Sequence, residues 1–383
     1  MSRKNVERNN PLLKKLDYWL GIPLVYMLGI FHRQHTKPRY YKNIVLLKTA
    51  AVGDTIILSA MIAELKQRYP QAQITVICSN NNAAMVKSLP DIDRIDIFAM
   101  KKPWQSLKRI KALGHYDLAL DFGPWPRINS LITWRLNADY KVGFYRHETH
   151  RHYIYDVKVE HSDKLHEIEN YRNILRGAGV EPRGLLPDLR TNKRLIMDNY
   201  AVFHLFPGGA MDIQRRWPKE RWLELAEELH QLYGVRILLS GGPADKEEVQ
   251  QICDSLIAKG IPAENIAGKY SLGDMASILQ YAKVVISVNT GIMHYAAAVG
   301  VPLVAIHGAT SEVRWGPLSD NAIVVKSGEH CQPCISLGFE SKCTKPVCME
   351  HVTVDMVLQK VKIVLEDYNQ WISEKQSKHM NRQ

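Results

Sequence analysis

Long hydrophobic runs are scarce in this 383-residue sequence. The aromatic-rich stretch "YWLGIPLVYMLGIF" at 18–31 is too short to span a bilayer, which takes about 20 apolar residues, and Gly21, Pro23 and Gly29 weaken it further. The next residues, "HRQHTKPRY", contain no small-x-small cleavage site, so a removed secretory segment is not expected. Cysteine is also sparse, with six in all. Without a secretory signal, a disulfide framework is not expected and a reducing compartment is expected. Acidic residues are few near the start. Residues 1–42 carry nine Lys/Arg against Glu7 and Asp17, a net +7 of the chain's +11. The remainder is nearly neutral, without the basic groove of a nucleic-acid enzyme, and no nucleic-acid partner is expected.

An ordinary globular composition remains, 46% apolar and 23% charged, on a chain long enough for two cores. The basic, aromatic segment 1–42 suits either an anchor on an anionic membrane surface or a helix packed on the protein body. From Lys42, "KNIVLLKTAAVGDTIILSAMIAELKQRYP" reads as strand, polar glycine loop and helix, and "QITVICS" and "YDLALDFGPW" read as further buried strands. The pattern restarts near residue 200 with "YAVFHLFPGGA", "VRILLSGGPAD", "KVVISVNTG" and "VPLVAIHG". Strands alternating with helices predict two doubly wound parallel sheets facing across a cleft, with ligands at the carboxyl ends of the strands. The expected domains are 43–190 and 191–351, joined by a proline-containing linker within 180–199. A last helix over 352–375 is expected to pack across both.

Three loops carry candidate chemistry. In "SVNTGIMHYAAAVG", Asn289 suits the helix cap, Thr290 offers a hydroxyl, and Gly291 permits close backbone approach. The helix amino end then presents free N–H groups and a positive dipole to a phosphate, with His294 one turn on. In "FPGGAMDIQRRWP", Gly208 and Gly209 permit a sharp turn, and Arg215, Arg216 and Lys219 can neutralise a diphosphate, with one of the arginines expected as the ligand. The glycine loop "SGGPAD" adds Gly241. "KTAAVGD" lacks both the Gly-Lys-Ser/Thr ending of a P-loop and the dinucleotide fingerprint. Its Asp54, beside Gly53, is placed to take a proton from a sugar hydroxyl, and it equally suits capping the following helix. Arg127, Arg135, Arg146, His147 and His150 are candidates for binding acceptor phosphates. Cys331, Cys334, Cys343 and Cys348, spaced C-x2-C-x8-C-x4-C, can hold a metal or stand as reduced thiols in a loop.

Taken in this order, "LLKTAAVGDTIILSAMIAELKQRYP", "LFPGGAMDIQRRWP", "GGPAD", "NTGIMHYAAAVGVPLVAIHGATSEVRWGP" and "CQPC" resemble the ADP-heptose:lipopolysaccharide heptosyltransferases, glycosyltransferase family 9. The resemblance runs from about residue 43 to about 365. It implies a GT-B architecture of two Rossmann-like domains, acceptor on the first and nucleotide sugar on the second, with inversion and no metal or other cofactor. Asp54 is implied as general base, Arg215 as a phosphate contact where relatives often have Lys, and Asn289, Thr290, Gly291 and His294 as the diphosphate surround. The family usually has Asp where this chain has Asn289. The implied donor is ADP-heptose or a related nucleotide sugar, and the implied acceptor a lipid-linked glycan at the cytoplasmic face of the inner membrane. Two other readings stay open: a family-9 transferase with another nucleotide sugar and glycan, and a non-catalytic nucleotide-sugar-binding protein.

Overall fold

A computed structural model describes residues 15, 17–209, 211–335 and 343–380. The chain divides into two compact units, with the boundary between Pro187 and Asp188.

In the unit ending at Pro187, six strands form one parallel sheet: β1 (Asn43–Leu47), β2 (Gln73–Ser79), β3 (Arg94–Phe98), β4 (Leu118–Asp121), β5 (Lys141–Tyr145) and β6 (Val157–Glu160). Their order is β3-β2-β1-β4-β5-β6. The central strands are apolar on both faces, as helix-covered parallel strands must be. Val45, Leu47, Ile77 and Ala119 join Phe98 and Ile132 in one buried cluster.

The second unit repeats the plan with β7 (Tyr200–His204), β8 (Arg236–Ser240), β9 (Ala263–Asn265), β10 (Val285–Val288), β11 (Leu303–Ile306) and β12 (Ala322–Val325), ordered β9-β8-β7-β10-β11-β12. All pairings are parallel. In each sheet the first strand lies beside the fourth, and the connections turn opposite ways from that pair. Such a reversal opens a crevice at the strands' carboxyl ends where side chains from two loops can meet.

The helices that position the site start at these ends. α1 (Val52–Arg68) follows β1, α2 (Arg127–Arg135) follows β4, α3 (Lys219–Tyr233) begins after Pro218, and α4 (Gly291–Val299) follows β10. Gly300 closes α4 at φ +73, a left-handed residue that only glycine adopts without strain. The helix expected to lie across both domains at 352–375 is α5 (Val354–Met380). It sends its described apolar side chains, Val357, Leu358, Val361, Val364 and Leu365, into the core of the second unit. Their three-and-four spacing makes one stripe, and each fully buried side chain contributes roughly 1.5–3 kcal/mol.

Candidate active site

In the first unit the chain leaves β1 at Leu47 and enters α1 through Ala51, the N-cap, whose backbone is extended (φ −88, ψ 169) and whose side chain makes no cap. Asp54 is therefore in the first helical turn and not the cap that its residue type suggested. A carboxylate here is favoured by the helix dipole. Its nearest cation is Lys48, with Nζ 3.3 Å from Asp54 Oδ2 and side chains 3% and 13% exposed. Lys48 is held from two further sides: Nζ donates to the Phe122 carbonyl (3.1 Å) and lies 5.1 Å from the centre of the Tyr171 ring. Thr49 Oγ1 donates to Asn129 Oδ1 on α2 (2.9 Å). Residues following β1 and β4 thus meet at the reversal of strand order, and Gly53 is buried beneath them. The Lys48 partnership was not legible from "KTAAVGD".

Below this cluster Asp121, at the end of β4, is fully buried. It pairs with Arg151 and accepts from Tyr155 Oη (2.6 Å) and the Gly123 N–H (2.9 Å). Among the proposed acceptor ligands, Arg127 is 8% exposed, and its Nη1 and backbone N–H both donate to Asp17 (2.6 and 3.1 Å). Arg146 makes a two-pronged bond to Asp163 (2.6 and 2.8 Å) and stacks 4.6 Å from the Trp125 ring centre. The bond to Asp163 raises its pKa. Each of these two guanidinium groups thus has a carboxylate partner within the protein.

In the second unit Arg215 bridges the two loops at the reversal. Its Nη2 donates to the Gly208 carbonyl (2.8 Å), Nε to the Met211 carbonyl (3.3 Å) and Nη1 to the Asn289 carbonyl (3.3 Å). The loop turns at Gly209, φ +93, with open space where side chains of Gly208 and Gly209 would stand. Arg216 faces away from this bridge, bonding Asp212 (2.9 Å) and Glu248 (2.7 Å) over the Phe206 ring. Lys219 is exposed on the first turn of α3, and Gly241, just past β8, accepts from the Gly268 N–H (3.1 Å).

The expected cap of α4 is corrected by one residue. Thr290 is the N-cap, extended at φ −149, with its Oγ1 accepting from the Ile292 N–H (3.1 Å). Asn289 instead turns its side-chain amide inward, where Nδ2 donates to His307 Nε2 (3.2 Å) and to the Trp315 carbonyl (3.2 Å). Burial holds the His307 pKa at about 4, so its imidazole is neutral and able to accept. Gly291 opens the helix, and His294, 7% exposed, lies on its first turn.

Two of the four cysteines are tied to neighbouring loops by their backbones. The Cys334 and Ile335 N–H groups donate to the Ala309 carbonyl (2.9 and 2.8 Å), and Gln214 Nε2 donates to the Cys343 carbonyl (2.9 Å). Cys331 is exposed and Cys348 buried, with burial pushing the Cys348 thiol pKa up. Among the described residues, the His, Cys and carboxylate groups of three or more whose ligand atoms all lie within 4.8 Å are His32/His35/Asp156 and His115/Asp117/Asp139. The cysteines form no such group.

Two Rossmann-like sheets, each with polar loops converging at the carboxyl ends of its strands, define a doubly wound α/β protein. The family model described as glycosyltransferase family 9 (heptosyltransferase) matches residues 104–344, and the chain belongs to that family. It is a glycosyltransferase of the GT-B fold class. The chain is similar to lipopolysaccharide heptosyltransferase 2 of Salmonella typhimurium, 26% identical over 312 residues, 74% of this chain and 88% of the relative. Among solved structures it resembles E. coli ADP-heptose lps heptosyltransferase II, with TM-score 0.70 and 21% identity, covering 85% of this chain and 99% of that one. It also resembles E. coli heptosyltransferase WaaC with ADP, with TM-score 0.67 and 19% identity, covering 84% and 99%.

Proposed function

We propose that this glycosyltransferase moves heptose from ADP-heptose to the core of a lipid-linked lipopolysaccharide acceptor, with inversion, without a metal ion or other cofactor, at the cytoplasmic face of the inner membrane. The observation that carries the reading is the Arg215 bridge beside the amino end of α4. Breaking a sugar–diphosphate bond requires positive charge where the leaving group gains negative charge. A guanidinium fixed between two loops and a helix amino end supply it, preorganised, from the protein alone. The kinship with lipopolysaccharide heptosyltransferases supports heptose and lipopolysaccharide, and ADP in the WaaC structure supports the nucleotide.

In this reading the second unit holds the donor: Gly208, Gly209 and Gly241 give room for the phosphates, Arg215 and Lys219 supply charge, and Asn289, Thr290, Gly291 and His294 line the helix end. The first unit holds the acceptor near Gly53. The Asp54 carboxylate accepts the proton of the attacking hydroxyl, that oxygen bonds the anomeric carbon from the face opposite the diphosphate, and ADP departs with the bonding pair. Lys48 fixes the carboxylate's direction.

Asp54→Asn tests the base. ADP binding, read by thermal shift, stays as in the parent, while turnover of ADP-heptose falls by about 10²–10⁴-fold. Equal turnover refutes the role. Stabilisation by UDP- or GDP-sugars but not by ADP or ADP-heptose refutes the donor.

A further inference from the structure

Before β1 the chain runs through a wide helical turn, Asp17–Gly21, into the helix Ile22–Ile30. One side of this segment is fastened to the first unit. Val25 is buried in a cluster with Ile154 and Tyr155. Gly29 lies so close to Tyr153 that a Cβ there would come within 2.4 Å of the tyrosine Cβ. Asp17 holds Arg127 at 2.6 Å, and beyond the helix His32 Nε2 and His35 Nδ1 reach Asp156 Oδ1 at 3.2 and 3.0 Å.

The other side is apolar and exposed. Trp19, Leu20, Tyr26, Met27, Ile30 and Phe31 recur at helical spacing on one stripe, with Trp19 71% and Phe31 78% exposed. A helix on a protein surface in water ordinarily turns polar residues outward. Here both faces are apolar, and the outer one forms a contiguous patch of the kind that marks an interaction surface. The residues that flank it in the chain are cationic: Lys15, Arg33, Lys37, Arg39 and Lys42 are all exposed. The acid of residues 15–42 is Asp17, already bound to Arg127.

We propose that this face lies in the plane of an anionic lipid bilayer. The charge decides the occupant, because basic flanks attract anionic headgroups and repel the same flanks on a second copy of the chain. Trp19, Tyr18 and Tyr26 are the amphipathic rings that settle at headgroup depth. No helix of the described residues is long and apolar enough to cross a membrane. The attachment also gives orientation. Asp17 accepts from the first N–H of α2 through Arg127, and Asn129 on the same helix bonds Thr49, next to Lys48. Docking therefore fixes the loop that carries Asp54 relative to the lipid surface, on the unit proposed to receive a lipid-linked acceptor.

This inference deepens the proposed function by naming the surface on which it operates, and the two are separable. The full chain is floated with vesicles of phosphatidylcholine, with and without phosphatidylglycerol. Binding is expected to the anionic vesicles, weakening as salt rises. The double variant Trp19→Glu/Phe31→Glu is expected to lose binding about tenfold or more, while its ADP thermal shift and its turnover on a lipid-free core oligosaccharide match the parent. Trp19→Phe removes the tryptophan quenching that brominated lipids produce in the parent. Unchanged vesicle binding by the double variant overturns the proposal. So does a parent dimer in sedimentation velocity that the double variant abolishes, which assigns the face to a second copy. Vesicle binding in a protein that turns over no nucleotide sugar leaves the docking intact and refutes the proposed function.

Discussion

Replacing Lys48 by methionine removes one charge from the Lys48–Asp54 pair while keeping most of the side-chain volume. At 3.3 Å and an effective dielectric constant near 20, the attraction is about 332/(20 × 3.3), or ~5 kcal/mol before solvation costs. Desolvation offsets much of this for so buried a lysine, whereas the partly wet Asp54 recovers some hydration when left alone. The expected result is a loss of about 3 kcal/mol for Asp54→Asn, which strands the buried lysine, and about 1 kcal/mol for Lys48→Met, but only about 2 kcal/mol for the double variant. The coupling is then about 2 kcal/mol. Urea denaturation monitored at constant m value measures each corner of the cycle. Losses that add to within ~0.5 kcal/mol would falsify the pairing, and would mean that Lys48 is held by the Phe122 carbonyl and Tyr171 alone.

Arg215→Ala is expected to weaken ADP binding by roughly 10–100-fold, the worth of a charge-assisted phosphate contact, with the melting temperature of the free protein little changed; calorimetric titration that finds the parent affinity rules out the contact. Asn289→Asp sets a carboxylate against the Trp315 carbonyl and the unprotonated His307 nitrogen. It should cost about 1–3 kcal/mol at pH 8, and the gap should narrow as acid protonates His307; a gap constant from pH 8 to 5 counts against the hydrogen bonds described. His204 and His307 have pKa values lowered by burial to about 4, against 6.5 when exposed. Between these values the unfolded chain binds protons that the folded chain refuses. Stability is therefore complete above pH 6.5 and is lost as pH falls towards 4, by up to about 1.4 kcal/mol per pH unit for each histidine. Melting temperatures that stay flat from pH 7.5 to 5 contradict this.

The sheets were legible because fully buried parallel strands leave continuous apolar runs. "NIVLL" and "VISV" carry that pattern at β1 and β10, and the polar loop after each marks where burial ends. The partners of the polar residues were not legible, because each is chosen by tertiary structure. Arg127 finds Asp17 from 110 positions away, and nothing local distinguishes it from an arginine awaiting an anion. Asn289 and Thr290 are both good capping types. The choice between them fell to His307, 18 positions on, and to the Trp315 carbonyl, which claim the amide of Asn289 and leave the hydroxyl of Thr290 to the helix. The exposed stripe at 18–31 was visible as apolar residues, but a chain without coordinates does not say which side the body covers.

The two candidate clusters have one topological cause. In each sheet, strand one lies beside strand four, so the loops after those strands are neighbours whatever their sequences. In the first unit this brings Lys48 to the Phe122 carbonyl and Thr49 to Asn129; in the second it brings Arg215 to the Asn289 carbonyl. The scaffold supplies the meeting of loops, and the residue placed there decides the chemistry. A carboxylate held by a buried lysine is directional and suits taking a proton from a hydroxyl. A guanidinium laid across carbonyls beside a helix amino end concentrates positive charge and suits a leaving diphosphate. Exchanging these side chains between the units would keep both sheets and remove both proposed roles, because the fold specifies where the groups stand and leaves their charge to the loops.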